Sequence, residues 1–437
     1  MSEHVARRAP NEWWTGVVAG MASYIDAAAI LAVGIALVIY QFTIGITPGQ
    51  IGIMSGALTF CIAIGALVGG RLGDRFGRRR VFIVTMALIV AGSVLTTFGT
   101  TFPVLLPGVV LVGLGVGADL PVSLATIAES ASDRNRGKLI LLSNMLWVAG
   151  ILSSIALASV SGGLGRLGGQ LMFGQVGAVA LLVLVARLSI PESGLWLEAR
   201  RRRDAGEAES RPRARLRDLL RTPYSTPFIA LIVFYTLTNL GANTTGSFNT
   251  FIATNFAGTS VETFNQWALI AMVVSFAPGL LFMKFVDTRW RMAFFTVGAV
   301  LAAASYLYLA VVGFTLTTMV VALFLALVGN TFAFEGIMKV WTQESFPTML
   351  RSTAQGGIVA FARVAAALLA TVTPALLQWN LQGVYVGLAV VTGVGYLVGG
   401  LVLRRSRNEF RTEEHAEART EELGQGASVS APAPADH

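Results

Sequence analysis

A few side chains in this chain can do chemistry where an apolar setting makes charge expensive. Asp26 lies in Ser23-Tyr24-Ile25-Asp26-Ala27, with no basic residue one helical turn away. An ionised side chain near mid-bilayer costs at least ~2.5 kcal/mol. Without a partner, desolvation favours the neutral acid, so Asp26 is expected to take up and release a proton near neutral pH. Its alternative role is a structural, hydrogen-bonding carboxyl inside a helix bundle. Glu335 and Lys339 stand four residues apart, on one helical face with Thr331, a spacing that suits a salt bridge. Arg363 can bind an anion, pair with Glu335 or snorkel toward water. Asp119, just before Pro121, is expected to partner Arg187 in preference to acting as a second proton site. Asn239, Asn243 and Ser247 recur every four residues as one polar stripe. Amides facing lipid would go unsatisfied, so the stripe must face protein or water, with substrate and neighbouring helices as competing partners. Asn144, Trp147 and Asn330 are further candidates, Trp147 as a platform for a ring.

The elements that must position these groups are membrane spans. The 437 residues are 54% hydrophobic and 13% charged, with mean hydropathy +0.68, where soluble chains carry about 25% charged residues. Twelve apolar runs can be drawn, at about 15–40, 51–70, 81–99, 103–127, 138–160, 170–190, 226–252, 264–284, 292–312, 315–341, 352–377 and 383–403. Each approaches the ~20 residues that a helix needs to cross a bilayer. The net charge of +8 would suggest nucleic acid in a soluble chain. Here the arginines and lysines collect in alternate loops, at 71–80, 134–138, 200–221, 284–291 and after Leu403, while the opposite loops hold little beyond Arg166. That pattern is topological charge and places both termini in the cytoplasm. Arg7 and Arg8 precede a first run that lacks a small-residue cleavage site, so it is read as a retained span.

The longest polar interruption, about 191–225, divides six runs from six. The expected organisation is an N-terminal six-helix bundle (1–190), a cytoplasmic linker (191–225), a C-terminal bundle (226–403) and a disordered tail (404–437). Lys284, Asp287, Arg289 and Arg291 follow the eighth run much as Asp74 and its arginines follow the second, which suggests two halves descended from one unit.

The stretch Gly70-Arg71-Leu72-Gly73-Asp74-Arg75-Phe76-Gly77-Arg78-Arg79-Arg80 resembles the loop signature of the major facilitator superfamily. Gly70 and Gly77 would permit close helix approach and a tight turn. Four more places resemble its sugar-porter and metabolite–proton symporter branches: Gly113-Leu-Gly-Val-Gly117 before Pro121; Glu129 with Arg136-Gly137; Pro191-Glu192-Ser193 with Trp196-Leu197; and Glu344-Ser-Phe-Pro347 with Arg351. The resemblance implies an all-α fold of twelve membrane helices in two pseudo-symmetric bundles. It also implies a cytoplasmic gate network on Gly70, Asp74, Gly77, Arg78, Glu129, Arg136, Glu192, Glu344 and Arg351. Proton-coupled relatives carry an aspartate in the first span, as Asp26 is placed here. Lys339 falls where sugar porters set a tryptophan against the sugar, so a lysine there would suit a carboxylate, with Glu335 holding it when the site is empty.

Two departures matter. The glutamine pair of sugar porters in the seventh span is replaced by Asn239, Asn243, Thr244, Ser247 and Asn249, and the Gly-Pro pair of antiporters is missing from 138–160. No nucleophile–base pair or phosphate loop argues for an enzyme. Cys61 is the one cysteine, and His4, His415 and His437 all lie outside the runs, which excludes an intrachain disulfide and a histidine relay and argues against a metal cluster. The expectation is a monomeric cell-membrane carrier without cofactor or nucleic-acid partner. Driven by the proton gradient, it would take up a small polar metabolite, sugar-like or carboxylate-bearing. Drug–proton exchange and facilitated diffusion are the alternatives.

Overall fold

The structure is a computed structural model describing residues 11–132, 135–192, 196–198, 200–201, 219–283 and 288–402. All regular elements among them are helices: α1 (Glu12–Thr43), α2 (Pro48–Phe76), α3 (Arg78–Phe98), α4 (Phe102–Ser130), α5 (Arg136–Ser161), α6 (Arg166–Arg187), α7 (Ser225–Asn255), α8 (Val261–Met283), α9 (Arg291–Val312), α10 (Leu316–Ala333), α11 (Glu335–Ser345) and α12 (Thr348–Val402). Ten stretches are long and apolar enough to cross a membrane. One of them, the body of α12, bends sharply at Asn380 (φ −156°, ψ 87°) and makes two crossings. With α8, 23 residues long, the described residues form twelve membrane spans. The bend has a local cause: the Asn380 side chain accepts the Gly383 N–H at 2.8 Å, capping the start of the last span.

Helices α1 to α6 pack on one another, as do α7 to α12, giving two six-span halves. Close approach in the N-terminal half depends on small residues. A Cβ on Gly65 would meet the Leu114 carbonyl oxygen at 2.6 Å, and one on Gly69 would strike the Ala118 backbone. Gly70 differs from its expected role: nothing lies within 4 Å of the place where its Cβ would be, so the close contact belongs to Gly65 and Gly69.

Two further boundaries depart from expectation. Residues 71–76 are helical continuation of α2, and only Gly77 breaks the chain before α3. Its backbone (φ +96°, ψ 154°) is one that side chains with a Cβ avoid, so glycine is required at this corner. The tenth span is not continuous but breaks at Phe334 (φ −104°, ψ −114°), separating α10 from α11. No proline stands there, and at the break the Phe334 ring stacks on that of Tyr235 with centroids 5.2 Å apart. The break makes Glu335 the first residue of α11, where a carboxylate complements the positive end of the helix dipole. Of the expected linker and tail, 193–195, 199, 202–218 and 404–437 lie outside the described residues, as do Lys284 and Asp287 of the suggested repeat.

The halves meet mainly at the face opposite the Arg71–Arg80 corner. Gln41 at the end of α1 and Asn255 at the end of α7 exchange amide hydrogen bonds at 2.8 and 3.3 Å, and Gln266 donates to the Ser159 carbonyl at 3.2 Å. Gly34 abuts the Ser247 backbone, and Gly52 and Gly56 abut Thr371.

Candidate functional site

Asp26 and Arg363 each sit about 21–23 Å along their helices from the basic face, close to mid-membrane. Arg363 Nη2 lies 3.7 Å from Asp26 Oδ2, joining the halves; the Asp26 side chain is 2% exposed and that of Arg363 25%. This corrects the expectation of an unpartnered carboxylate. No cation lies along α1, but α12 supplies one across the interface, which spacing in sequence cannot reveal. The separation exceeds hydrogen-bond length, so this is an ion pair held by field alone. Trp147 donates its indole N–H to the same Oδ2 at 3.4 Å, and Oδ1 is buried without a hydrogen-bond partner. Trp147 is therefore a positioning group for the carboxylate as well as a flat apolar surface.

Beside this pair lie others. Lys339 Nζ and Glu335 Oε1 form the expected bridge at 2.8 Å, both side chains 43% exposed. Glu335 is therefore not the partner of Arg363. Tyr235, whose ring stacks on Phe334, stands within hydrogen-bonding reach of Asn239 and within electrostatic reach of both Glu335 and Arg363. Asn239, Asn243 and Ser247 are half-buried, and the Ser247 backbone lies against Gly34 of α1. Asn330 accepts from the Tyr396 hydroxyl at 3.4 Å, which engages it in helix packing, and Asn144 is exposed on α5.

One cluster was missed from sequence. The Tyr24 hydroxyl donates to Ser153 Oγ at 2.7 Å, and Gln175 Nε2 donates to Ser153 Oγ at 2.9 Å and to the Tyr24 hydroxyl at 3.3 Å. Gln175 Oε1 is buried and unpaired in hydrogen bonding. The available signal was an amide inside the apolar sixth run together with the closeness of Tyr24 to Asp26.

Asp119 has the other buried pairing. Arg187 grips both carboxylate oxygens, through Nη1 on Oδ1 and through Nη2 on Oδ2 at 2.8 Å. Thr85 and Ser123 donate hydrogen bonds to the same carboxylate, and the guanidinium lies 4.2 Å from the Phe82 ring centre. The expectation of an Asp119–Arg187 pair holds.

At the basic face, Arg78 bonds Glu129 at 2.8 Å. Glu192 accepts the Arg78 and Arg79 backbone N–H groups at 2.7 and 3.3 Å. It thereby caps a helix whose first turn is otherwise three arginines against the positive dipole end. Glu344 pairs with Arg291 at 2.7 Å, and Arg351 donates to the Phe346 carbonyl at 2.8 Å. The side chains of Asp74 and Arg136 lie outside the described residues. No group of metal-binding side chains occurs among the described residues.

Comparisons with known proteins agree with this architecture. The family model described as Major Facilitator Superfamily matches residues 15–348. The minor myo-inositol transporter IolF of Bacillus subtilis (strain 168) is 31% identical over 357 residues, covering 78% of each chain. The 3-(3-hydroxy-phenyl)propionate transporter of Escherichia coli (strain K12) is 34% identical over 216 residues, covering 49% of each chain. Among solved structures, that of the D-xylose–proton symporter superposes with a TM-score of 0.72 at 19% identity, over 91% of this chain and 98% of the other.

Proposed function

The chain belongs to the major facilitator superfamily, and from that premise we propose that it couples the uptake of a small polar metabolite to proton entry. The observation that carries this reading is the Asp26–Arg363 pair, a buried carboxylate facing a mostly buried, one-quarter exposed cation from the other half across 3.7 Å. A carrier that alternates between two faces must break and remake whatever joins its halves at mid-membrane. A loose pair there ties the protonation of Asp26 to the position of Arg363, because losing the cation leaves a buried anion that protonation relieves.

On the positive-inside rule the basic face is cytoplasmic, which puts both termini on that side; the membrane in this reading is the cell membrane. The halves touching at the opposite face then describe a state closed to the outside. In the outward state the Gln41–Asn255 pair opens, a proton reaches Asp26, and substrate enters. Closure returns both to the cytoplasmic side. Asn239, Asn243, Tyr24, Ser153 and Gln175 provide hydrogen-bonding groups for hydroxyls, as a polyol or sugar-like substrate needs. The myo-inositol and hydroxyphenylpropionate relatives support a small oxygen-rich solute in general terms. The protein works as a monomer without cofactor, energised by the proton gradient, and carries no catalytic chemistry.

The test is transport by Asp26→Asn in proteoliposomes. Counterflow, which needs no net proton movement, is expected to persist while accumulation driven by a pH gradient disappears. Equal loss of both would make Asp26 structural.

A further inference from the structure

Resting on the carrier reading above, we infer that Trp147 sets the shape of the substrate: a ring with an apolar face and a polar rim, taken in preference to an open chain bearing the same hydroxyls. Three observations meet at this side chain. Trp147 stands about 17 Å along α5 from the basic end, close to the depth of Asp26 on α1. Its indole N–H is given to Asp26 Oδ2 at 3.4 Å, the oxygen that faces Arg363 of α12, which sets the indole edge at the contact between the halves. The side chain is partly exposed, yet among the described residues no aromatic ring or guanidinium stacks on it, and it belongs to none of the buried apolar clusters. Trp196 and Trp341, by contrast, are buried in packing, and the other five tryptophans are exposed. A flat apolar surface anchored at one edge between the halves, and taking no part in the core, is a surface that a ligand ring can cover.

The anchor holds the plane of the indole in both charge states of Asp26, because a neutral carboxyl keeps an acceptor oxygen. A fixed aromatic face favours a rigid partner. A six-membered ring lays C–H or π surface on that face and carries its hydroxyls at the rim. There the guanidinium of Arg363, a quarter exposed, offers donors, and the amides of Asn239 and Asn243, about 21 and 27 Å along α7, stand at a similar depth. An open-chain polyol carries a hydroxyl on every carbon. Laid on the indole, it turns some of them toward a surface that satisfies none, and it must first freeze its own torsions. Two kinds of ring share the required chemistry, the alicyclic ring of a polyol or sugar and the aromatic ring of a phenol, and matched probes separate them.

The test uses the purified full chain in detergent and two pairs of probes: myo-inositol against D-glucitol, which carry the same number of hydroxyls, and 3-(3-hydroxyphenyl)propionate against 6-hydroxyhexanoate. Affinity is read by calorimetry, and contact with the indole by tryptophan emission. In at least one pair the ring is expected to bind roughly 3- to 10-fold more tightly than the open chain. It should also change the emission, and that change should be missing in Trp147→Phe. Because Trp147→Phe keeps a flat ring, the preference should persist there. Trp147→Gln retains an N–H donor but no ring, so the preference should vanish through weaker binding of the ring probe alone. Preference in the first pair assigns an alicyclic substrate, and in the second an aromatic one. The inference is overturned if neither ring probe binds in preference to its open-chain partner, if Trp147→Gln retains the preference, or if Trp147→Phe gives the wild-type emission change. Should Trp147→Gln fail to fold, the emission difference between wild type and Trp147→Phe decides alone. Ring and open-chain probes accumulating alike under a pH gradient in proteoliposomes would overturn the ring assignment yet leave the carrier reading standing. A ring probe that binds with the expected preference but shows no pH-driven accumulation would instead remove proton coupling and leave the ring site in place.

Discussion

Two aspartate–arginine pairs, each with a buried carboxylate, are built in opposite ways. Asp119 and Arg187 belong to the same half, meet through two hydrogen bonds, and are further ringed by Thr85, Ser123 and the face of Phe82. Asp26 and Arg363 belong to different halves, stand 3.7 Å apart, and share only the indole of Trp147. A pair that satisfies nearly every lone pair can remain charged in a low-dielectric interior, and removing one member strands the other. A pair that satisfies few is easily exchanged for another partner. In the proposed cycle the first arrangement would hold a bundle rigid and the second would let the two bundles part.

The largest expected effect follows from breaking the tight pair. Asp119→Ala should destabilise the N-terminal half by about 3–5 kcal/mol, read as lost folded yield and a lower unfolding midpoint. The double change Asp119→Leu with Arg187→Met should recover most of that loss, since no charge is left buried. Failure of the double variant to improve on the single one would show that the pair does more than offset its own desolvation. By contrast Asp26→Asn should cost no more than about 1 kcal/mol of stability, because Arg363 keeps access to the open side.

An intermediate effect is expected at the far face. Removing the amide exchange with Gln41→Ala should weaken closure there by about 0.5–1.5 kcal/mol. Spin-label distances across that face should then report a larger share of molecules with the halves apart. No shift would mean that the glycine contacts at Gly34, Gly52 and Gly56 carry the closure alone. The smallest effect belongs to the half-exposed bridge of α11. Lys339→Ala should cost about 0.3–0.5 kcal/mol of stability. It should weaken a carboxylate probe more than a neutral one, and equal binding of both would remove Lys339 from the site.

The sequence was legible where chemistry repeats along one helix or one loop. The apolar runs gave the spans, the arginine clusters gave the basic face, and the i, i+4 spacing of Glu335 and Lys339 gave their bridge. What depends on two distant segments meeting was not legible: Arg363 reaching Asp26, Glu344 taking Arg291, and Gln175 joining Tyr24 through Ser153. Neither was the break at Phe334, where no proline marks the place. At Gly70 the motif was legible but its work was misassigned, because the helix face that touches α4 runs through Gly65 and Gly69.

The contrast between the pairs is tested most directly by the ratio of pH-gradient-driven accumulation to counterflow, measured in the same vesicles for wild type, Asp26→Asn and Asp119→Asn. The account predicts that the ratio collapses in Asp26→Asn alone, while whatever Asp119→Asn protein folds keeps the wild-type ratio. A ratio unchanged in Asp26→Asn, or lowered equally in both variants, would contradict it.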